Sequence, residues 1–283
     1  MNELNSEIYN LNLSKSEFEK IGQFIYNEFG IRMPYEKRVM LQSRLHKRLR
    51  VLKLKSFKEY IEFVFGKDGK DEIIHMIDVV STNKTDFFRE PGHFDFLTNT
   101  GLPELVSNSR MRPNLKIWSS ACSSGEEPYT IAIVLEEFIR NNSNLEYSIH
   151  GTDISTDILK KALAGIYKEE RIANIPIDLK RKYFLRSKDK TKKLVRVSSH
   201  LRSKMSFQRL NLIEASYDVD NDFDIIFCRN VLIYFERDTQ EKVINKLCRY
   251  LKPGGYFFLG HSESIIGMDV PLKQLRPTIF QKI

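Results

Sequence analysis

The sequence predicts an α/β protein built on a doubly wound sheet that carries a small inserted antiparallel β-subdomain and is preceded by a small all-helical domain. Three observations carry this prediction. The first eighty residues show helical periodicity only, and from Lys116 onward short apolar runs alternate with amphipathic helical stretches. Between Tyr167 and Met205 two β-like runs flank a charged turn and interrupt that alternation. The implied organisation is a helical domain at 1–80, a linker at 81–93 and an α/β domain at 94–283, with the insertion at about 168–204.

In chain order, Ser14-Lys15-Ser16-Glu17 forms a capping-box pattern ahead of Phe18, Ile21, Phe24 and Ile25, with Gly30 beyond the end. A second helix is expected from Pro34 to about Leu52, burying Leu41, Leu45, Leu49 and Leu52. Ser56-Phe57-Lys58-Glu59 opens a short helix that stops at Gly66, and Glu72 to Val80 makes a fourth. Strands are expected at Lys116–Ala121, Glu146–Ile154, Met205–Asn211, Phe223–Cys228 and Tyr256–Gly260. The intervening helices run over Glu126–Arg140, over Ser155–Tyr167 with Ile158, Leu159, Ala162 and Leu163 inward, and over Asp238–Leu251 behind the box Asp238-Thr239-Gln240-Glu241. Tyr183–Arg186 and Leu194–Val197 form the inserted hairpin, and two β-like runs around Pro277 close the chain as an antiparallel pair. An antiparallel strand appended to a doubly wound sheet is the usual form of class I methyltransferases.

Composition narrows the functional classes. Apolar runs such as Ile131–Leu135 and Tyr256–Leu259 are too short to span a bilayer, and Met1–Asn5 lacks the basic start of a signal peptide. Cys122, Cys228 and Cys248 are odd in number and contain no CxxC pair, which fits a reducing cytoplasm. The six histidines show no metal-binding spacing, so no metal site is expected. Forty-five basic against thirty-seven acidic side chains give a net charge of +8, which favours an acidic partner.

Ligands in doubly wound sheets bind outside the carboxyl ends of the strands. The first such end, Ser119 to Pro128, has small residues and Gly125 for close backbone approach, followed by a helix N-terminus. It lacks GxGxxG, and Glu127 is also spaced to cap the helix together with Ser124. Asp153 ends the second strand, where an acidic residue suits ribose hydroxyls or an N-cap. Asn211-Leu212 and Arg229-Asn230 follow two further apolar strands, positions hard to explain as core.

Four longer motifs make the reading specific: Thr82 to Glu90, Trp118 to Tyr129, Phe227 to Phe235, and Leu259-Gly260-His261-Ser262-Glu263. In this order, and together with the basic helical domain and the inserted hairpin, the chain resembles the chemotaxis receptor methyltransferases, the CheR family. The resemblance implies transfer of a methyl group from S-adenosylmethionine to glutamate side chains on chemoreceptor helices, giving methyl esters and S-adenosylhomocysteine. By matching position it implies a cofactor site of Asn83, Thr85, Arg89, Glu127, Asp153, Asn211, Leu212, Arg229 and Asn230.

The acceptor glutamate is already ionised at neutral pH and needs no general base, so alignment and desolvation should carry catalysis. Arg89 and Tyr234 are suited to orient that carboxylate, and are the expected catalytic residues. Lys37, Arg44, Lys47 and Arg48 fall on one side of the second helix, and no acidic residue lies between Lys37 and Lys55. With the family resemblance, this row is expected to dock on the cytoplasmic helical domains of chemoreceptors. Where relatives dock a receptor C-terminal peptide on the inserted hairpin, its turn tends to contain glycines. Here it reads Ser187-Lys188-Asp189-Lys190-Thr191-Lys192-Lys193, which weighs against tail docking. A nucleic-acid methyltransferase would also suit the charge, but the fourth strand ends in Cys-Arg-Asn-Val rather than Asn/Asp-Pro-Pro-aromatic. The joint presence of Arg89, Asp153, Asn230 and Tyr234 argues against a purely regulatory module. A cytoplasmic monomer without nucleic-acid partner or membrane insertion is expected.

Overall fold

A computed structural model describes residues 11–107, 114–140 and 145–283. The helical domain comprises α1 (Lys15–Phe29), α2 (Arg38–Leu52), α3 (Phe57–Val64) and α4 (Lys70–Val80). Both halves of the first capping box form: Ser14 Oγ accepts from the Glu17 N–H, and the Glu17 carboxylate accepts from the Ser14 N–H. Ser56 likewise caps α3 through the Glu59 N–H. Leu41, Leu45 and Leu49 are fully buried in this domain's own core, while Leu52 lies at its margin.

Two of the cations expected to face a partner are turned inward. The Arg48 guanidinium pairs with both oxygens of Glu72, at 2.8 and 2.7 Å, and Glu72 also accepts from the Tyr60 hydroxyl. Arg44 donates to the carbonyls of Val80 and Ser81, closing the C-terminal end of α4 where a cation suits the helix dipole. Arg44 and Arg48 are thus engaged within the domain, each with its side chain partly exposed. Their spacing beside the leucine stripe, read as a solvated row, instead aims them at the packed neighbour α4.

Beyond the linker come α5 (Gly92–Phe96), α6 (Leu102–Ser107), β1 (Asn114–Ser120), α7 (Glu126–Ile139), β2 (Glu146–Asp153) and α8 (Thr156–Ala164). The insertion holds β3 (Ile166–Lys168), α9 (Ile177–Tyr183), β4 (Phe184–Arg186) and β5 (Leu194–Val197), and α10 (Ser199–Arg202) leads out of it. The chain then continues through β6 (Met205–Arg209), β7 (Phe223–Cys228), α11 (Arg237–Tyr250), β8 (Leu251–Leu259), β9 (Leu272–Arg276) and β10 (Ile279–Lys282). The main sheet has the order β6-β2-β1-β7-β8-β10-β9, parallel through β8 and antiparallel at β10 and β9. The doubly wound fold, the helical domain and the antiparallel insertion are as the sequence predicts.

Alternate residues of β7 feed opposite faces of the sheet: Ile225 and Phe227 enter one core, Ile226 and Cys228 the other. Burial on both faces explains why this strand reads as an unbroken apolar run. The order of strands reverses between β1 and β7, so their carboxyl ends diverge around a crevice.

Three local expectations change. The insertion is a three-stranded sheet, β3-β5-β4, because Ile166–Lys168 pairs with β5; the sequence reading had kept that segment at the end of a helix. Gly165 at φ 60° ends α8 earlier, and Leu163 points outward at 63% exposure. The helix α11 begins at Arg237 with Glu236 at the N-cap position, so the Asp238 box lies inside the first turn and does not cap it.

The Arg48–Glu72 pair generates a stability prediction. Arg48→Ala leaves a carboxylate with 3% side-chain exposure unpaired and should cost about 3 kcal/mol in urea unfolding of the full chain. Lys47→Ala, on the exposed side of the same helix, should change stability by less than about 0.5 kcal/mol.

Candidate functional site

One cavity gathers the carboxyl ends of β1, β2, β6 and β7, the 80–89 strap and the 29–40 segment of the helical domain. Its lining includes Asn83, Thr85, Arg89, Glu127, Asp153, Asn211, Leu212, Arg229, Asn230 and Tyr234, with Lys37 from the helical domain. Residues up to 206 positions apart in sequence, Phe29 to Phe235, are brought together because the strap and the helical domain cross above the strand ends. Lys47 lies on the exposed surface of α2, outside this cavity.

Arg229 is the hub. Its side chain is 2% exposed and donates to Glu127 Oε2 at 3.0 Å, to Glu90 Oε2 at 2.8 Å and to the Arg89 carbonyl at 2.6 Å. The carboxylate of Glu127 also accepts from Ser119 Oγ at 2.7 Å. Glu127 therefore does not cap its helix. Gly125 occupies the N-cap position at φ 95°, and Ser124 Oγ bonds Glu126 instead. A Cβ at Gly125 would stand 3.0 Å from both Ala162 Cβ and the Tyr167 hydroxyl, so glycine is required twice over.

The two buried acids respond to different fields. Burial pushes the Glu127 carboxyl up, against the opposing charge and hydrogen bonds of Arg229 and Ser119. For Glu90, burial also acts upward but is outweighed by the bonds and charge of Arg229, with further bonds from the His261 N–H and Asn230, and the group is held at about 2. Asp153 is pushed up by burial and opposed by N–H groups, among them Ser123 at 2.9 Å and Ser155 at 3.0 Å. Ser155, not Asp153, caps α8. The lining thus carries both signs, with Glu127 and Asp153 set beside the guanidiniums of Arg229 and Arg89.

Asn211 is spent on architecture. Its amide donates to the Glu28 carbonyl at 2.8 Å and its oxygen accepts from the Ile213 N–H, which ties the end of β6 to the helical domain. Asn211 thus enters the cavity as part of its wall, to which Leu212 adds an apolar surface. Asn230 adopts φ 57° beneath Gly260, where a Cβ would come within 2.3 Å of its side-chain nitrogen. Glu263 fixes this turn by accepting from the N–H groups of Asn230, Val231, Leu232 and Gly260, at 2.6–2.9 Å.

Sequence reasoning missed Glu90 and His93 as members of the site. Glu90 closes the strap motif but no spacing signals its partner, which is 139 positions away. His93 packs on His261 with its Nδ1 3.7 Å from Glu90, and its Nε2 meets Thr278 Oγ1 at 2.8 Å. Glu90, His93 and His261 bring potential ligand atoms within 4.8 Å of one another. Arg229 already occupies Glu90 Oε2, while the His261 N–H and Asn230 take Oε1, so the cluster is built as an ion-pair network around a guanidinium.

With the geometry in place, comparison with known proteins assigns the family. Residues 83–280 match the CheR methyltransferase SAM binding domain, and residues 16–81 match the CheR methyltransferase all-alpha domain. A chemotaxis protein methyltransferase of Borreliella burgdorferi is 41% identical over 276 residues, covering 96% of each chain. That of Klebsiella aerogenes is 41% identical over 256 residues (90% of this chain, 85% of the relative), and that of Escherichia coli 38% over 260 (92% and 88%). The chain belongs to the CheR methyltransferase family and takes S-adenosylmethionine as cofactor. The cavity fits that molecule: buried carboxylates suit its ammonium and sulfonium charges, Asp153 its ribose, and the apolar wall of Leu212, Val231 and Phe235 its base. Among the described residues, no helix is long and apolar enough to cross a membrane.

The buried His93 sets a pH signature. Burial, and then the charge of Arg229, hold it at about 4 against the attraction of Glu90, below the ordinary value near 6.5. Between these values the unfolded chain binds the proton and the folded chain does not, so stability should fall as pH drops from 6.5 to 4. The loss should reach about 3 kcal/mol. Unfolding of His93→Gln and wild type across this range should show a flatter slope for the variant.

Proposed function

We propose that the chain methylates glutamate side chains on the cytoplasmic helices of chemoreceptors, forming glutamyl methyl esters with release of S-adenosylhomocysteine. The observation that carries this reading is that Arg89 and Tyr234, donors suited to a carboxylate, both line the cavity that Asn83, Glu127 and Asp153 also line. Bound there, the cofactor supplies an electrophilic methyl group. The acceptor carboxylate needs no base, so the residues of this chain have only to bind, align and exclude water.

Arg89 is one-third exposed and steadied by a bond from Nη1 to the Lys84 carbonyl at 3.0 Å. Tyr234 is half-buried in a turn whose carbonyl accepts from the Arg32 N–H of the helical domain, and Lys37 lies 5.7 Å from its ring centroid. A cation over the ring face draws an incoming carboxylate towards the hydroxyl without clamping it. Asn83, Thr85, Glu127, Asp153, Leu212 and Asn230 would hold the cofactor, with Arg229 fixing Glu127 and Asn211 fixing the wall. With Arg44 and Arg48 engaged internally, Lys37 and Lys47 carry the docking role on acidic receptor helices.

The test is incubation with receptor-containing membranes and methyl-labelled cofactor, followed by mapping of base-labile label to receptor glutamates. Base-stable label, or label on RNA or DNA, overturns the reading. Arg89→Ala should lower kcat by about a hundredfold. Tyr234→Phe should lower it by about tenfold with S-adenosylhomocysteine still bound. Near-normal turnover in both variants would remove their catalytic assignment. Lys47→Glu should raise the receptor concentration needed for half-maximal rate, most strongly at low salt, and leave S-adenosylhomocysteine affinity unchanged.

A further inference from the structure

The inserted subdomain reaches the strap over the cofactor cavity through Arg171. Arg171 stands in a 3-10 turn, Glu169–Ile172, whose first N–H is bonded to the Lys193 carbonyl beside β5. Its guanidinium leaves the subdomain and donates to Asp86 Oδ1 at 3.0 Å, to the Thr85 carbonyl, and to Glu126 Oε1 at 2.6 Å. Two of these acceptors are adjacent residues of the strap. The third is the first residue of α7, 1% exposed, so the guanidinium joins three separate segments.

An apolar contact backs the polar one. Phe87 packs edge-on against Tyr167 at 5.0 Å and Phe184 at 5.5 Å, both from the subdomain. The Tyr167 hydroxyl donates to the Ser124 carbonyl at 2.7 Å, in the turn that precedes α7. The grip covers Thr85 to Phe87, between Asn83 and Arg89. On either side the strap is held by the methyltransferase domain through Ser123 Oγ to the Asn83 carbonyl and the Phe88 N–H to Thr130 Oγ1, and its start by Arg44 of the helical domain at the Ser81 carbonyl.

We infer that the inserted subdomain is a clamp on the cofactor strap, and that Arg171 is the positioning residue through which it sets how long the cofactor stays bound. The inference rests on the reading that Asn83 and Thr85 contact the cofactor. A planar guanidinium can serve a carboxylate, a second carboxylate and a carbonyl at once, whereas an ammonium cannot hold the same three in one plane. Loss of the fork should free the strap and leave the sheet intact.

Three variants test this on the full chain. Arg171→Lys keeps a charge beside buried Glu126, the double variant Arg171→Gln/Glu126→Gln removes both charges together, and Asp86→Asn alters only an exposed strap carboxylate. S-adenosylhomocysteine release is followed by stopped flow, and strap mobility by hydrogen exchange of residues 83–89. Release is expected to be about tenfold faster in the first two and about threefold faster in Asp86→Asn, with faster strap exchange in all three. Release within twofold of wild type in the Arg171 variants overturns the clamp, and so does faster release without a change in strap exchange. Asn83→Ala and Thr85→Ala examine the underlying reading separately. If those two bind S-adenosylhomocysteine normally, the cofactor contacts of the strap are wrong, whatever the Arg171 variants show in exchange.

Discussion

Arg229 emerges from the end of β7 into a position with 2% side-chain exposure, and its hydrogen bonds run to α7, to the strap and to the backbone of Arg89. Few groups in the site would keep their place without it. Glu127 and Glu90 would face each other as buried acids without a counterion, a condition that either protonates them or forces them apart. The strap would lose its anchor at the Arg89 carbonyl. A buried charge network of this kind is weak evidence for stability but good evidence for a fixed geometry, because each partner has only one arrangement that satisfies it.

Backbone strain is concentrated in the same place. Among the described residues, nine other than glycine have positive φ, and five of these, Phe88, Glu90, Ala121, Ser123 and Asn230, belong to the strap or to the strand-end turns around the cavity. Each such conformation costs on the order of 1 kcal/mol and persists only where the surroundings over-determine it. Here they do: Thr130 holds the Phe88 N–H, Asp153 the Ser123 N–H, and Glu263 the Asn230 N–H. Under the proposed reaction, which orients an already ionised carboxylate, rigidity of this sort is a gain, since alignment matters more than proton transfer.

Much of this was legible in the sequence, and the boundary of legibility follows contact range. The capping box at Ser14 is decided within four residues and forms as read, whereas at Ser56 only the bond from the Glu59 N–H forms and the Glu59 carboxylate takes the Lys55 N–H. Strand ends carrying Asp153, Arg229 and Asn230 stand out because polar residues directly after apolar runs have no place in a core. Patterns whose meaning depends on a distant partner were misleading or silent. Ser124 and Glu127 have capping spacing, but Ser119 and Arg229 compete for the carboxylate and win. Arg44 and Arg48 look like a solvated row until α4 packs across them. Glu90 and His93 gave no signal, since their partners lie 139 and 185 positions onward. The third strand of the insertion is three residues long, too short for any period to register.

The bond from Asn211 to the Glu28 carbonyl, together with Lys37 above Tyr234, makes the cavity a joint property of two domains. Any ligand that fills it touches both walls, and reciprocity then fixes a thermodynamic bond between ligand occupancy and domain alignment. Whatever factor the aligned pair contributes to cofactor affinity, the cofactor returns to the alignment. Loading the cavity with methyl donor therefore also favours one alignment of the helical domain on the sheet.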